Sequence, residues 1–136
     1  MTPSRTVGDL MSADPIVVAA DAPLVDAARL LDVHRIHGLP VVDGLGSVVG
    51  VISDTDMLHA RTTEDLWSRW PGLRVRHLMS SPALTVKADA DLAQAAQLME
   101  RERVHRLVVV GLDGETPIGV LSTSDLVRGM LAEARP

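Results

Sequence analysis

Two copies of one short motif contain residue types that could bind a phosphorylated ligand. Each copy reads glycine, two aliphatic residues, serine, two variable residues and aspartate, at residues 50–56 and 119–125. A serine followed three residues later by an acid is typical of a helix start, where both side chains accept hydrogen bonds from backbone N–H groups. Such N–H groups also suit a phosphate, and an aspartate beside them can accept hydrogen bonds from a ribose diol. The motif therefore indicates a helix cap, a nucleotide site, or both.

The motif is part of a longer internal repeat. Residues 10–12, Leu-Met-Ser, return as residues 78–80, which is an offset of 68 residues. His37 and His105 keep this offset, and one inserted residue then moves the serine-containing motif to an offset of 69. Because the repeat lies within one domain-length chain, we expect a binding surface made by one copy to recur in the other.

Composition excludes several classes of protein. The chain has 136 residues, of which 46% are apolar and 1% aromatic, so the core must be built from aliphatic side chains. A net charge of −5 argues against binding to a nucleic-acid backbone. Cysteine is absent, which excludes disulfides, thiolate metal sites and a cysteine nucleophile. With no apolar stretch near 18 residues and no leader, we expect no membrane contact and a cytoplasmic location.

Each copy predicts the order strand, helix, strand, strand, helix. Short apolar runs at 16–18 and 83–86 predict the first strands, and the apolar residues that follow recur at helical spacing. Two further apolar runs flank a glycine-containing turn, which predicts a hairpin. A helix that connects the first and second strands makes them a parallel pair, and the hairpin makes the second and third strands an antiparallel pair. The prediction is therefore an α+β fold with a mixed three-stranded sheet in each half. We place the first motif at 7–60, a linker at 61–74 and the second motif at 75–132.

The linker contains both tryptophans of the chain. Trp67 and Trp70 are three residues apart on a short predicted helix that Pro71 and Gly72 end. They are interpreted as a cover for the edge of the core, with a partner contact as the alternative, because tryptophan is enriched at interface hot spots.

At this point the sequence resembles the CBS motif, named after cystathionine β-synthase. The resemblance rests on Leu-Met-Ser at 10–12, on residues 39–43, Leu-Pro-Val-Val-Asp, and on the motif at 50–56, with second copies at 78–80, 104–110 and 119–125. It covers the chain from about Val7 to Met130. The resemblance implies a CBS pair, or Bateman module, in which the two halves pack about a pseudo-twofold axis.

Such pairs bind adenosine-containing ligands in two clefts between the motifs and act as regulatory sensors. The resemblance therefore implies AMP, ADP, ATP or S-adenosylmethionine as a regulatory ligand, with no required cofactor, and an effector protein that the sequence does not identify. Asp56 and Asp125 would hold ribose hydroxyls, and Ser53 and Ser122 would meet phosphate. The residues expected around adenine and at the strand entries are Ile16, Val17, His37, Gly38, Leu39 and Pro40 in the first cleft, and Leu84, Thr85, His105, Arg106, Leu107 and Val108 in the second.

The two clefts are predicted to be unequal. His105-Arg106 resembles the strand entry that contacts nucleotide phosphates in γ subunits of AMP-activated protein kinase, whereas the first copy has His37-Gly38 there. An arginine offers charge-assisted hydrogen bonds to phosphate. We therefore expect the second cleft to bind phosphorylated ligands more tightly, unless Arg106 is a surface residue paired with Glu100 or Glu102.

Neither catalysis nor a metal site is expected. No nucleophile with a base and no catalytic carboxylate pair follows from the spacing, and His34 beside His37 is interpreted as a solvated helix end because its counterpart is Glu102. The rival function is a ligand-free structural or dimerisation module in which the Ser-x-x-Asp motifs serve only as caps.

The final predicted helix has more apolar width than one small sheet requires. Leu126 and Met130 lie at i, i+4, as do Val127 and Leu131, which favours burial against a second chain. The CBS resemblance also implies association through such helices. We therefore expect a homodimer.

Overall fold

Both halves of the chain fold into the alternation of strands and helices that the repeat predicts. The computed structural model describes residues 5–133. Its elements, in chain order, are α1 (Val7–Leu10), β1 (Ser12–Ala13), β2 (Val18–Ala19), α2 (Leu24–His34), β3 (Gly38–Val42), β4 (Val48–Ser53), α3 (Asp54–Thr62), α4 (Glu64–Ser68), a 3₁₀ helix (Trp70–Gly72), α5 (Val75–Leu78), β5 (Thr85–Lys87), α6 (Leu92–Glu102), β6 (Arg106–Val110), β7 (Pro117–Ser122) and α7 (Thr123–Glu133).

One compact unit comprises residues 16–83. Its sheet has the order β2-β3-β4, in which β2 runs parallel to β3 and β3 runs antiparallel to β4. Leu39 and Ile52 pair across the hairpin and pack with Leu24 of α2 in an aliphatic core. The predicted mixed three-stranded sheet is confirmed in this unit.

A second compact unit comprises residues 5–15 together with residues 84–133. Its sheet has the order β1-β7-β6-β5, with β5 parallel to β6 and β6 antiparallel to β7. The fourth strand, β1, was not expected: Ser12 pairs with Val120 and Ala13 with Gly119 in an antiparallel arrangement. Apart from this short strand, the α+β fold with two mixed sheets is as predicted.

The bounds of the two compact units therefore differ from the bounds of the two sequence repeats. The Leu-Met-Ser segment of the first repeat pairs with β7 of the second, and that of the second repeat pairs with β4 of the first through Val51 and Ser80. The N–H of Val51 donates to the carbonyl of Ser80 at 3.0 Å, and the reverse bond is 2.9 Å long. The predicted division into motifs at 7–60 and 75–132 follows the sequence repeat, whereas each compact unit combines most of one repeat with the leading segment of the other.

The helices α2 and α6 end in the same way, and each end sets the start of the next strand. Arg35, after α2, and Arg103, after α6, adopt the left-handed conformation with φ of 53° and 56°. This conformation closes a helix end, since the chain reverses direction there. It delivers the chain to β3 and β6, whose first residues belong to the predicted sites.

The two tryptophans of the linker stack on each other, with ring centroids 5.7 Å apart. Trp70 packs against the core of its unit, while 42% of the Trp67 surface is exposed and the Arg61 guanidinium lies 4.5 Å from its ring centroid. Trp70 thus covers the core edge as expected, and the cation–π contact occupies one face of Trp67. No helix within residues 5–133 is long and apolar enough to cross a lipid bilayer.

Candidate functional site

The first repeat brings four of its predicted site residues together at one end of the sheet; we call this group site 1. Gly38, at the start of β3, pairs with Ser53, at the end of β4, and Asp56 lies in the first turn of α3. His37 precedes β3, and its carbonyl accepts the N–H of Asp54 at 2.9 Å. Site 1 is therefore a strand start, a strand end and a helix start held side by side by backbone hydrogen bonds.

The Ser53 and Asp56 side chains form a reciprocal helix cap. The Ser53 N–H donates to Asp56 Oδ2 at 2.7 Å, and the Asp56 N–H approaches Ser53 Oγ at 3.4 Å. The Ser53 hydroxyl also donates to Asp56 Oδ2, at 3.1 Å. The cap fixes the Asp56 carboxylate at the start of the helix. Its Oδ2 atom accepts two of these three hydrogen bonds, and Ser53 Oγ accepts the third.

The second repeat builds the same arrangement from Arg106, Ser122 and Asp125, with His105 before the strand; we call this group site 2. Arg106 pairs with Ser122 across β6 and β7, and the His105 carbonyl accepts the N–H of Thr123 at 3.0 Å. The Ser122 N–H donates to Asp125 Oδ2 at 2.8 Å, and the Asp125 N–H donates to Ser122 Oγ at 3.2 Å. Directly opposed residues of an antiparallel pair share a sheet face, so Arg106 lies on the face of Ser122.

The two sites differ in the charges at the helix start. In site 1 the first helical residue is Asp54, whose Oδ2 is 3.0 Å from Nδ1 of the exposed His37. In site 2 that position is Thr123, which carries no charge, and Arg106 adds a positive charge nearby. The side chains described here therefore make the surroundings of the helix start more positive in site 2 than in site 1.

The predicted adenine-side residues divide into core and partly exposed positions. Leu39 and Leu107 are each 1% exposed and belong to the hydrophobic cores. Their side chains stabilise the units, so only their backbone could meet a ligand. The residues that follow them, Pro40 and Val108, are also buried, and alternation along a strand places them on the opposite face of the sheet.

The segments that lead into β2 and β5 contribute more accessible surface. Ile16 and Leu84 are partly buried against the cores, and Val17 is 38% exposed. Thr85 is half-buried and pairs with Val108 in the parallel ladder. Thr85 is the first residue of β5, whereas Ile16, Val17 and Leu84 precede β2 and β5 and lie outside the sheets.

Two contributors to the sites did not follow from the sequence reasoning. Arg128 donates to Asp125 Oδ1, and Asp54 pairs with His37. The spacing of Asp125 and Arg128, i and i+3 on one helix, is a recognised signal for an ion pair and could have identified the first. The His37–Asp54 contact joins residues 17 apart through the hairpin, and no local pattern indicates it.

Comparison with known proteins identifies the family. The model of the CBS domain matches residues 7–62 and 75–132, which is most of the chain. Among solved structures, CBSX2 of Arabidopsis thaliana in complex with AMP superposes with a TM-score of 0.82 at 36% identity, covering 97% of this chain and 100% of that one.

Two further relatives share the whole region. The γ-3 subunit of human 5′-AMP-activated protein kinase is 31% identical over 93% of this chain, which spans 27% of that subunit's length. The uncharacterized protein MJ1426 of Methanocaldococcus jannaschii is 29% identical, over 92% of this chain and 90% of its own length. The full CBSX2 sequence is also longer, and this chain spans 63% of it. With a matching model over both repeats and relatives above 30% identity, the chain belongs to the CBS domain family and carries a CBS domain pair.

Proposed function

We propose that the chain is a regulatory module that binds an adenosine-containing ligand, AMP foremost, at sites 1 and 2. Asp56 and Asp125 accept hydrogen bonds from the ribose hydroxyls. Ser53 and Ser122, with the N–H groups of the helix starts, face the phosphate. Adenine lies along the segments that lead into β2 and β5 and along the starts of β3 and β6, where apolar side chains are available.

The main support for this proposal is the occurrence of the same construction twice. In each repeat a carboxylate is fixed at a helix start by a serine, opposite the start of a neighbouring strand. A carboxylate oxygen accepts the O–H of a diol, and helix N–H groups donate to an anion, so the two halves of a nucleoside phosphate find partners within one site. CBSX2, at 36% identity, was solved in complex with AMP, which supports AMP as the first ligand to test.

The competing function is a ligand-free structural module. It has one specific observation in its favour, because both Ser-x-x-Asp motifs do form helix caps. A cap alone explains a serine and an acid at these positions. It does not require the arginine that accompanies the second cap at the strand start.

Binding of AMP is expected to stabilise the protein against heating. At ten times its Kd a ligand specific for the folded state adds about 1.4 kcal/mol, which corresponds to a rise in Tm of roughly 5 °C for a chain of this size. Thermal unfolding with AMP, ADP, ATP and S-adenosylmethionine, followed by calorimetric titration, measures this rise and ranks the ligands.

The matched controls alter the ligand and leave the protein intact. We expect 2′,3′-dideoxyadenosine monophosphate to bind at least about tenfold more weakly than AMP, because the aspartates lose the hydroxyl donors. Guanosine monophosphate tests selectivity for the base. If no adenosine compound stabilises the protein at millimolar concentration, the ligand-free module is the correct function.

We also propose that the module is a homodimer associated through α7. Leu126 is buried in the core, whereas Val127, Met130 and Leu131 are 55%, 63% and 67% exposed. These three side chains are at i, i+3 and i+4 and form one apolar face on the helix. A second copy of the chain would remove this face from water.

Met130→Glu is expected to shift the protein from dimer to monomer in sedimentation at tens of micromolar, the monomer mass being 14.5 kDa. The carboxylate of the introduced glutamate would be buried without a partner in the dimer interface. Because Met130 is exposed in the monomer, the substitution should leave folding intact. Leu112→Glu is the control, since Leu112 is 90% exposed at a hairpin turn and should not affect association. A wild-type monomer, or a Met130→Glu dimer as tight as the wild type, contradicts the proposal.

A further inference from the structure

The aspartate of site 2 is already engaged by an arginine. Asp125 is 6% exposed, and its Oδ2 accepts the Ser122 N–H at 2.8 Å. Arg128, one turn further along α7, donates from Nη2 to the other oxygen, Oδ1. Helical side chains lean toward the helix N-terminus, which directs the Arg128 guanidinium back onto the carboxylate. Both carboxylate oxygens of Asp125 therefore have donors within the chain.

Site 1 has the same helix cap without this arginine. Asp56 accepts the Ser53 N–H and hydroxyl on Oδ2. The residue three positions later is His59, which corresponds to Arg128 in the repeat. The His59 ring faces Thr63, with Nδ1 3.5 Å from Oγ1. The repeat thus supplies an internal comparison between two otherwise matching carboxylates.

We propose that Arg128 competes with the ribose diol for Asp125 and gates site 2. The inference rests on the proposed function, since it assigns Asp125 to the ribose. A ligand entering site 2 must displace the guanidinium from Oδ1, or share that oxygen with it, before its hydroxyls are accepted. Among residues 5–133 no basic side chain forms an ion pair with Asp56, so a ligand entering site 1 meets no such competitor there.

A gate explains the contact better than a positioning role does. The reciprocal cap orients Asp56 without help from any arginine, so the same cap is sufficient to orient Asp125. The Arg128 side chain is 63% exposed, against 9% for that of Asp125. Water can therefore solvate the Arg128 guanidinium when it leaves Asp125. The buried carboxylate needs a donor on Oδ1, so the guanidinium leaves only when a ribose hydroxyl takes its place.

The gate has a consequence for ligand preference between the two sites. Adenosine has no phosphate to reach Arg106, so it meets the cost of displacing Arg128 at site 2 with no compensation. AMP meets the same cost and gains the Arg106 contact. Adenosine should therefore occupy site 1 first, whereas the contact with Arg106 draws AMP toward site 2.

Removal of the arginine is expected to strengthen adenosine binding at site 2. The test uses Asp56→Ala protein, in which site 1 is disabled, and compares it with Asp56→Ala/Arg128→Ala protein by calorimetric titration with adenosine. Loss of a partly exposed ion pair should improve the affinity by up to about fivefold. Asp56→Asn replaces Asp56→Ala if the loss of the cap impairs folding.

The reciprocal change should close the open site. In Asp125→Ala protein, where site 2 is disabled, His59→Arg places an arginine three residues after Asp56 and should weaken adenosine binding by a similar factor. His59→Ala in the same background is the matched control and should leave the affinity unchanged, because His59 faces Thr63.

The outcomes separate this inference from the function on which it rests. If the site-disabled parents bind adenosine and Arg128→Ala leaves affinity unchanged or lowers it, the gate is overturned while the proposed function stands. If neither the parents nor the arginine variants bind any adenosine compound, both fail. Tighter binding after Arg128→Ala together with weaker binding after His59→Arg is the result that establishes the gate.

Discussion

Replacing Arg106 by alanine is expected to weaken AMP binding at site 2 by about tenfold or more, because a charge-assisted hydrogen bond contributes ~1.5–3 kcal/mol. Adenosine binding at the same site should change little, since adenosine lacks the phosphate that the guanidinium would contact. The variant thus separates the phosphate contribution from the ribose contribution.

The surroundings of Arg106 favour this role over that of a surface ion pair. Arg106 forms no salt bridge with any of residues 5–133, and Glu102, one of its possible partners, contacts Arg101 at 3.4 Å. The pairing of Arg106 with Ser122 places its side chain on the same sheet face as the helix start. An arginine in this place is available to an anion at the start of α7.

Calorimetric titration of Arg106→Ala with AMP and with adenosine makes the measurement. Arg101→Ala is the control, because it removes the same charge from an exposed position on α6 and should leave both affinities unchanged. Equal weakening of AMP and adenosine, or unchanged AMP affinity at site 2, would show that Arg106 does not contact the phosphate.

The elements of the fold could be predicted because their signals are local. Helical spacing of apolar residues located α2 and α6, and glycine-containing turns located both hairpins. The repeat strengthened each assignment, since one pattern had to satisfy two segments. The first strands, β2 and β5, are shorter than or shifted from the apolar runs at 16–18 and 83–86, because only part of each run pairs with the neighbouring strand.

The sequence could not predict that the leading segment of each repeat belongs to the compact unit formed by the other repeat. The pairing of Ser12 with Val120 joins positions more than 100 residues apart, and a two-residue strand has too few side chains to show alternation. The sequences of β4 and β7 are similar, so no residue type indicates which of these two strands pairs with the segment at Ser12–Ala13. Tertiary packing alone decides it.

Residue types in the sequence located the candidate sites, and the structure showed the contacts in which sites 1 and 2 differ. Ser53, Asp56 and their counterparts follow from the motif, because a cap and a diol acceptor require those side chains. The sequence also predicts that Arg106 makes the two sites unequal, and this stays a prediction. The partner of Asp125 depends on which way the Arg128 side chain turns, and the His37–Asp54 contact depends on hairpin closure. Both are geometric facts beyond the repeat pattern.

The glycine that begins each motif has a structural reason that the sequence left open. A Cβ added at Gly119 would lie 2.5 Å from Met11 Sδ and 2.8 Å from the Ser12 carbonyl oxygen. At Gly50 the corresponding distances are 2.9 Å to Met79 Sδ and 2.7 Å to the Ser80 oxygen. In both repeats, the glycine lets a Met-Ser segment lie close against the strand with which it pairs.

Gly119→Ala is accordingly expected to destabilise the protein by about 2 kcal/mol, within the range for overpacking a close contact. The methionine can move aside, but the Ser12 oxygen is fixed by the pairing of β1 with β7, so the backbone must shift or the strand must detach. Gly50→Ala should have a similar cost through Ser80.

Gly111→Ala is the matched control for this prediction, because a Cβ there would make an ordinary contact of 3.7 Å with Ile118. It should change stability by no more than about 0.5 kcal/mol, or raise it slightly by restricting the unfolded chain. Chemical denaturation of the three variants provides the comparison. If Gly119→Ala is as stable as Gly111→Ala, Met11 and Ser12 do not approach Gly119 at the distances given above, and the assignment of the first repeat's leading segment to the sheet of the second repeat is wrong.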